Sequence, residues 1–287
     1  MAGTGRLFVT LQSLLPQHAL TALVHRLARS RWLAPLLIRG FVRLYRVDLS
    51  EALAPDPGAY PTFNAFFTRA LRPGARPLPA ALRAIACPCD GTVSECGTID
   101  GDELLQARLE AKNHTYTLEE LLGSDPRARD FVGGEFATIY LAPYNYHRVH
   151  MPLDGRLTAV TYVPGRLFSV NRATAERVPK LFARNERVIC RFDTAAGPVA
   201  LVFVGALNVG SIGIEGLGDL TPVRRRIERR FTVPAPAPMF VRGAELGRFN
   251  MGSTVILLLP RGRCRWGSGF QPGATVRMGA TIGELVG

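Results

Sequence analysis

Two textures of hydrophobic and polar positions divide the chain. Over residues 1–46 apolar positions recur at helical spacing: Leu20, Leu23, Val24 and Leu27, then Trp32, Leu33, Leu36 and Leu37, then Phe41, Leu44 and Tyr45. That spacing predicts amphipathic helices, with Arg26 and Arg29 beside the apolar stripe. Gln12, Ser13, Pro16, Gln17 and His18 interrupt the first stretch, so no run is long enough to span a membrane as a helix. Pro55, Pro57, Gly58 and Pro61 mark a linker or turn. The segment FNAFFTRALRPGARPLP after it reads as a short helix closed by proline and glycine.

Past residue 85 the runs become strand-like. FATIYLAP (136–143), RLTAVTYVPG (156–165), RVICRFDT (187–194), VALVFVGALNVGSI (199–212) and STVILLLP (253–260) predict strands, and TLEELLG (117–123) predicts one intervening helix. The tail GFQPGATVRMGATIGELVG predicts short strands punctuated by glycine, as in a small barrel or sandwich. The expected fold class is therefore α+β. N-terminal amphipathic helices over residues 1–55 would pack on a β-rich, sandwich- or barrel-like body over 56–287.

Charge narrows the partners. The chain carries a net charge of +12 in 287 residues, which favours an anionic partner: nucleic acid, an acidic membrane surface or an acidic ligand. Residues 1–46 hold Arg6, Arg26, Arg29, Arg31, Arg39, Arg43 and Arg46 and no acidic residue. Basic amphipathic helices with Trp and Phe suit a membrane interface, and the same pattern also suits helices packed on the rest of the chain. The run PVRRRIERRF, with Arg224, Arg225, Arg226, Arg229 and Arg230, reads as a solvated face, an anionic-lipid contact or a nucleic-acid contact. No recognition helix, zinc finger or RNP motif supports the last, so nucleic acid is not an expected partner. Cys87, Cys89, Cys96, Cys190 and Cys264 are odd in number and unevenly spread, which points to a reducing compartment. Their spacing fits no common zinc pattern, and no metal is expected.

Three segments carry groups fit for chemistry: CDGTVSECG with Asp90, APYNYHRVHMP with His147 and His150, and NMGSTV with Ser253. Asp, His and Ser form a nucleophile-activating set, in which a carboxylate orients an imidazole that takes a hydroxyl proton. Asp-Gly is also a common turn pair, and Gly-Ser-Thr a common loop tripeptide. An ordinary serine hydrolase is disfavoured, because no G-x-S-x-G elbow surrounds Ser253. Here the serine leads into an apolar strand, a poor place for attack on an external substrate and an acceptable one for a backbone rearrangement.

GRFNMGSTVILL, YLAPYNYHRVHMPLDG, PCDGTVSECG, FNAFFTRALRPGARPL and LEAKNHTYTLEELLG, in their order, resemble bacterial phosphatidylserine decarboxylase in its proenzyme form, of the pyruvoyl-dependent class. The resemblance covers nearly the whole chain. One departure is Met251, where the family's cleavage motif has Leu; the two are similar in volume and apolar, so processing is expected to survive. The resemblance implies that Ser253 attacks the carbonyl of Gly252 and that the chain breaks there into a β chain (1–252) and an α chain (253–287). Ser253 would end as a pyruvoyl group that forms a Schiff base with the amine of phosphatidylserine. It further implies that His150 is the base for self-cleavage with Asp90 as its orienting partner, and that His147 handles protons in decarboxylation. Thr254 is either an oxyanion helper or simply the β-branched start of a strand. The implied product is phosphatidylethanolamine, made in phospholipid synthesis by a peripheral enzyme on the cytoplasmic face of the bacterial membrane, with a homodimer as one possible assembly. Two rival readings remain: a pyruvoyl decarboxylase for a soluble amino acid, and a basic membrane-binding module that never cleaves.

Overall fold

The strand Ser253–Leu259 lies inside the largest sheet, hydrogen-bonded on one side to Gly197–Gly205 and on the other to Glu135–Leu141. All seven of its residues are buried. A strand flanked on both edges and covered on both faces needs no polar alternation, which is why Val255 to Leu259 read as one apolar run. Each of these five side chains contributes roughly 2 kcal/mol by leaving water.

The structure is a computed structural model and describes residues 16–107, 113–207, 211–220 and 227–286. Among these residues the main sheet has nine antiparallel strands. Their order is Arg229–Phe231, Gly155–Val163, Arg187–Thr194, Gly197–Gly205, Ser253–Leu259, Glu135–Leu141, Gly91–Thr98 and Thr275–Val276, with Met239–Phe240 also beside Gly155–Val163. A four-stranded sheet, ordered Gly218–Leu220, Ile212–Ile214, Glu245–Phe249 and Arg148–His150, brings the histidine-bearing segment beside the one that leads to Ser253. A third sheet joins Ala84–Ala86, Thr281–Leu285 and Cys264–Trp266. The helix predicted at 117–123 is the single turn Leu118–Leu122, started by a reciprocal capping box between Thr117 and Glu120. The fold is α+β, as the alternation of textures predicts.

Among the described residues three α-helices precede the sheets: α1 (Gln17–Ala28), α2 (Ala34–Tyr45) and α3 (Phe63–Phe67). Pro35 sits in the first turn of α2, where its missing N–H costs nothing, and Arg46 closes the helix in the left-handed region. Ala34 and Ile38 form the buried side of α2 and, with half-buried Phe41 and Val42, join Phe63, Phe66 and Phe67 of α3 in a cluster separate from the main core. Phe41 meets the rings of Phe63, Phe66 and Phe67 edge-on, with centroids 5.1 to 6.2 Å apart. Half-buried Met251 packs against the same cluster, which thus touches the segment just before Ser253. The other side of the helices stays apolar and open: Trp32 is 96% exposed, Leu36 72% and Leu44 75%. No helix among the described residues is long and apolar enough to cross a membrane. Gln12, Ser13 and Arg6 lie outside the described residues.

Candidate functional site

Ser253 starts its strand at the end of the main sheet, paired with Leu141 and Gly205. Its side chain is 1% exposed, and Oγ has no hydrogen-bond partner. A buried hydroxyl without a partner carries a desolvation cost of roughly 1–3 kcal/mol, so its presence calls for an explanation. The two residues before it leave regular backbone: Met251 has φ of 110° and Gly252 φ of 38°. A side chain added at Gly252 would meet nothing nearer than the Leu207 carbonyl oxygen at 4.0 Å, so backbone conformation rather than crowding calls for glycine there.

One residue past Leu141, the loop Ala142 to Tyr146 begins. Asn145 shapes it by accepting the Ala142 N–H at 2.7 Å on its side-chain oxygen. His147 follows, fully buried against Phe67 with ring centroids 4.0 Å apart, and its backbone carbonyl accepts the Phe249 N–H. Nδ1 of His147 lies 2.8 Å from the Asn145 carbonyl oxygen. A carbonyl can only accept, so Nδ1 carries the proton and Nε2 is left with a bare lone pair, buried and unpartnered. Burial, opposed by the Asn145 hydrogen bond and reinforced by the Arg69 charge, pulls the His147 pKa down to about 3.

His150 is held at both nitrogens. Nδ1 donates to the Gly243 carbonyl at 2.8 Å, and Nε2 accepts from the Tyr146 hydroxyl at 2.9 Å. Burial lowers its pKa; the Gly243 hydrogen bond and the Glu245 and Asp90 charges push the other way. Asp90 sits close by, since the His150 N–H donates to the Pro88 carbonyl at 2.8 Å. The carboxylate of Asp90 is nevertheless engaged elsewhere: Arg76 reaches both of its oxygens, at 3.2 and 2.9 Å, and the Met278 N–H donates to Oδ1 at 2.8 Å. Asp90 and His150 are therefore neighbours joined by charge, with their hydrogen bonds made to other groups. The Gly of Asp90-Gly91 is required: a Cβ there would come within 2.4 Å of the Tyr140 carbonyl oxygen. Gly91 opens a strand rather than a turn.

Thr254, next along the strand, is buried with its hydroxyl also unpartnered, and the pleat alternates its side chain with that of Ser253. His147 thus lies beside Phe249, four residues before Ser253, and Asp90 lies near His150, which pairs with Glu245 further back along the chain; no hydrogen bond joins the Ser253 hydroxyl to either histidine.

The sequence reading missed several participants. Arg69, 5% exposed, donates to the Tyr144 and Asn145 carbonyls under the His147 loop and lies over the Phe66 ring. Arg76 bridges Asp90 and Glu51. A cleft of about 250 Å³ opens over these groups, lined among others by Arg46, Arg69, Arg76, Asp90, Tyr144 and Tyr146. Arg69 and Arg76 lie in a segment that reads only as a short helix and a turn, so no local signal marks them. Of the run at 222–231, Arg224, Arg225 and Arg226 lie outside the described residues. Arg230 donates to the Ser124 carbonyl, and Arg229 lies over the Tyr162 ring at 5.5 Å. Among the described residues no cluster of His, Cys, Asp or Glu is arranged to hold a metal, and the five cysteines are free.

A family model described as phosphatidylserine decarboxylase matches residues 63–284, and one described as PSD matches residues 7–46. The chain is 51% identical over 282 residues to a phosphatidylserine decarboxylase proenzyme of Methylococcus capsulatus (strain Bath), covering 97% of this chain and 96% of that one. It is 51% identical over 286 residues to the proenzyme of that name from Pseudomonas putida (strain GB-1), covering 98% of both. A third, from Azotobacter vinelandii, is 50% identical over 284 residues, with 97% and 98% covered.

Proposed function

The chain belongs to the phosphatidylserine decarboxylase family, and on that premise we propose that it converts itself from a proenzyme by using Ser253 and then decarboxylates phosphatidylserine at a membrane surface. One observation carries the first step: a buried, unpartnered hydroxyl follows directly on two residues of positive φ.

In self-cleavage the Ser253 Oγ adds to the Gly252 carbonyl carbon while a base takes the hydroxyl proton. The Gly252–Ser253 C–N bond breaks, the released amine takes that proton, and an ester joins Gly252 to Oγ. Removal of the Ser253 Cα proton then breaks the Cβ–Oγ bond, and Gly252 leaves as a carboxylate. The new N-terminus is a dehydroalanine. It tautomerises, adds water and loses ammonia to become a pyruvoyl group. This position suits such a group, because Ser253 is anchored in a central strand and shielded from water. When formed, it supplies the electron sink that a carbanion left by CO2 requires.

The chain's own residues supply the proton chemistry. His150, with the Asp90 charge beside it, is the base for self-cleavage. To act, its Nε2 must first let go of the Tyr146 hydroxyl. His147 handles the proton at the substrate's α carbon. In the uncleaved chain its Nε2 carries no proton, so donation requires that cleavage open the pocket and relieve the burial that holds its pKa down. In self-cleavage the Thr254 backbone adjoins the reacting bond, while its side chain alternates away from that of Ser253, so an oxyanion role for its hydroxyl requires the strand end to shift.

The open apolar side of α1 and α2 is the membrane-docking surface. Trp32, Leu36 and Leu44 enter the interface, and Arg31, Arg39 and Arg43 face anionic lipid headgroups. The rings of Tyr45 and exposed Tyr144 lie 6.5 Å apart, so the docking surface adjoins the loop that leads to His147. This arrangement fits a peripheral enzyme on the cytoplasmic face and favours a lipid over a free amino acid. The test is to incubate purified protein separately with phosphatidylserine vesicles and with free serine. Phosphatidylethanolamine and CO2 from the vesicles alone support the reading; release of CO2 from serine alone contradicts it.

A further inference from the structure

Asn250 lies two residues before the bond proposed to break, and it is gripped from both sides. Its side chain is buried. Nδ2 donates to the Ser211 Oγ at 2.6 Å, and Oδ1 accepts from the Asn64 Nδ2 of α3 at 3.1 Å. The Asn250 backbone N–H donates to the Ser211 carbonyl at 3.0 Å. One residue earlier, the Phe249 N–H donates to the His147 carbonyl, also at 3.0 Å. The chain is thus fixed as far as Asn250 and fixed again from Ser253, where the sheet takes hold.

Only Met251 and Gly252 lie between these anchors, and both have positive φ. For Met251 a φ of 110° lies outside the regions that residues with a side chain normally occupy. Such a conformation persists only where the surroundings over-determine it. Packing of Met251 against the α2–α3 cluster supplies one support. The hydrogen bonds of Asn250 supply the other, and they come from two distant parts of the chain.

We infer that Asn64 and Ser211 are positioning residues for self-cleavage: by clamping Asn250 they hold Met251 and Gly252 bent, with the Gly252 carbonyl presented to the Ser253 hydroxyl. The inference rests on the self-cleavage proposed above. It gives the Asn64 side chain a role beyond helix packing, and it makes α3 a shared wall of the cleavage segment and of His147. Loss of one oriented hydrogen bond from a reacting segment is expected to slow the reaction about tenfold.

The experiment times cleavage of full-length chains made by a pulse of cell-free translation, for wild type, Asn64→Ala, Ser211→Ala, Asn250→Ala and Ser211→Thr. Pulse proteolysis on the same samples gives the folded fraction, and rates are taken on that fraction. The alanine variants are expected to cleave about tenfold more slowly, and Ser211→Thr, which keeps the hydroxyl, near the wild-type rate. Hydroxylamine, which captures the ester, is expected to release fragments more slowly from the alanine variants by the same factor, because the clamp acts before the ester forms. If Asn250→Ala yields no folded fraction, Asn64→Ala and Ser211→Ala decide. Alanine variants that cleave as fast as wild type, or a Ser211→Thr as slow as Ser211→Ala, overturn the clamp. A wild type that never cleaves overturns the proposed function itself, and the clamp with it.

Discussion

The imidazole of His147 lies against the ring of Phe67, centroids 4.0 Å apart and planes tilted by 38°. Phe67 belongs to the cluster built by α2 and α3, so the apolar region that leaves Trp32 and Leu44 in the open also walls in a catalytic candidate. Phe67→Ala removes that wall. It is expected to cost roughly 3–5 kcal/mol of stability and to raise the His147 pKa toward its ordinary value as water enters. Urea unfolding and an NMR titration of the imidazole protons check the two effects. An unmoved pKa in a folded variant contradicts the assignment of burial as its cause.

Tyr146 occupies the His150 lone pair that the proposed base needs. Tyr146→Phe removes the hydroxyl and little else. Self-cleavage is expected to quicken by about fivefold, the worth of one neutral hydrogen bond. A time course of fragment appearance on gels reads this directly, and a slower variant would mean that Tyr146 assists the step.

Glu186 is a buried carboxyl, 1% exposed, whose Oε2 accepts the Tyr162 hydroxyl at 2.8 Å while Oε1 has no partner. Burial raises its pKa from 4.5 to about 7, against the pull of the Tyr162 hydrogen bond. Between those values the folded chain holds a proton that the unfolded chain has lost, so the contribution of Glu186 to stability falls as pH rises through this window. His147 acts oppositely: its folded pKa of about 3 lies below the ordinary 6.5, so its contribution is present above pH 6.5 and is lost as pH falls. Glu186→Gln keeps a hydrogen-bonding group and removes the titration. Relative to wild type, it should gain stability from pH 4.5 to above 7, by on the order of 3 kcal/mol at full titration. Urea midpoints across this range test the trend, and a difference that is constant with pH contradicts it.

Replacing Trp32, Leu36 and Leu44 together by Ser is expected to weaken sedimentation with anionic vesicles at least tenfold, since each side chain is exposed and contributes apolar area only on docking. Melting should stay near wild type. Deletion of residues 1–46 is a less clean test. It also removes Ala28, Ala34 and Ile38 from the cluster that Phe67 and Met251 share, so a loss of self-cleavage in that variant would report on packing rather than on docking.

The strands were the most legible part of the sequence. RVICRFDT coincides with Arg187–Thr194, and STVILLL with Ser253–Leu259, because the first is rich in strand-forming Val, Ile, Phe and Thr and the second carries a continuous apolar run. The site was legible as a set of groups and less so as a geometry. Residue types and the family motifs around them mark Asp90, His147, His150 and Ser253, but nothing local announces that Arg76 holds Asp90 or that Tyr146 caps His150. Those contacts join residues brought together by sheet pairing and loop closure. The same holds for Asn64 and Asn250, 186 positions apart in sequence. The positive φ of Met251 is equally invisible, since methionine is no signal for it.

The central claim is that Ser253 breaks the chain at its own bond to Gly252 and becomes a pyruvoyl group. Intact mass of the purified protein, wild type beside Ser253→Ala, tests it most directly. The expected result is two wild-type fragments meeting at Gly252 and Ser253, the smaller lighter by one ammonia than a peptide beginning with serine, and a single uncleaved variant chain. One uncleaved mass in both samples would contradict the account and reduce Gly252-Ser253-Thr254 to a bend before a buried strand.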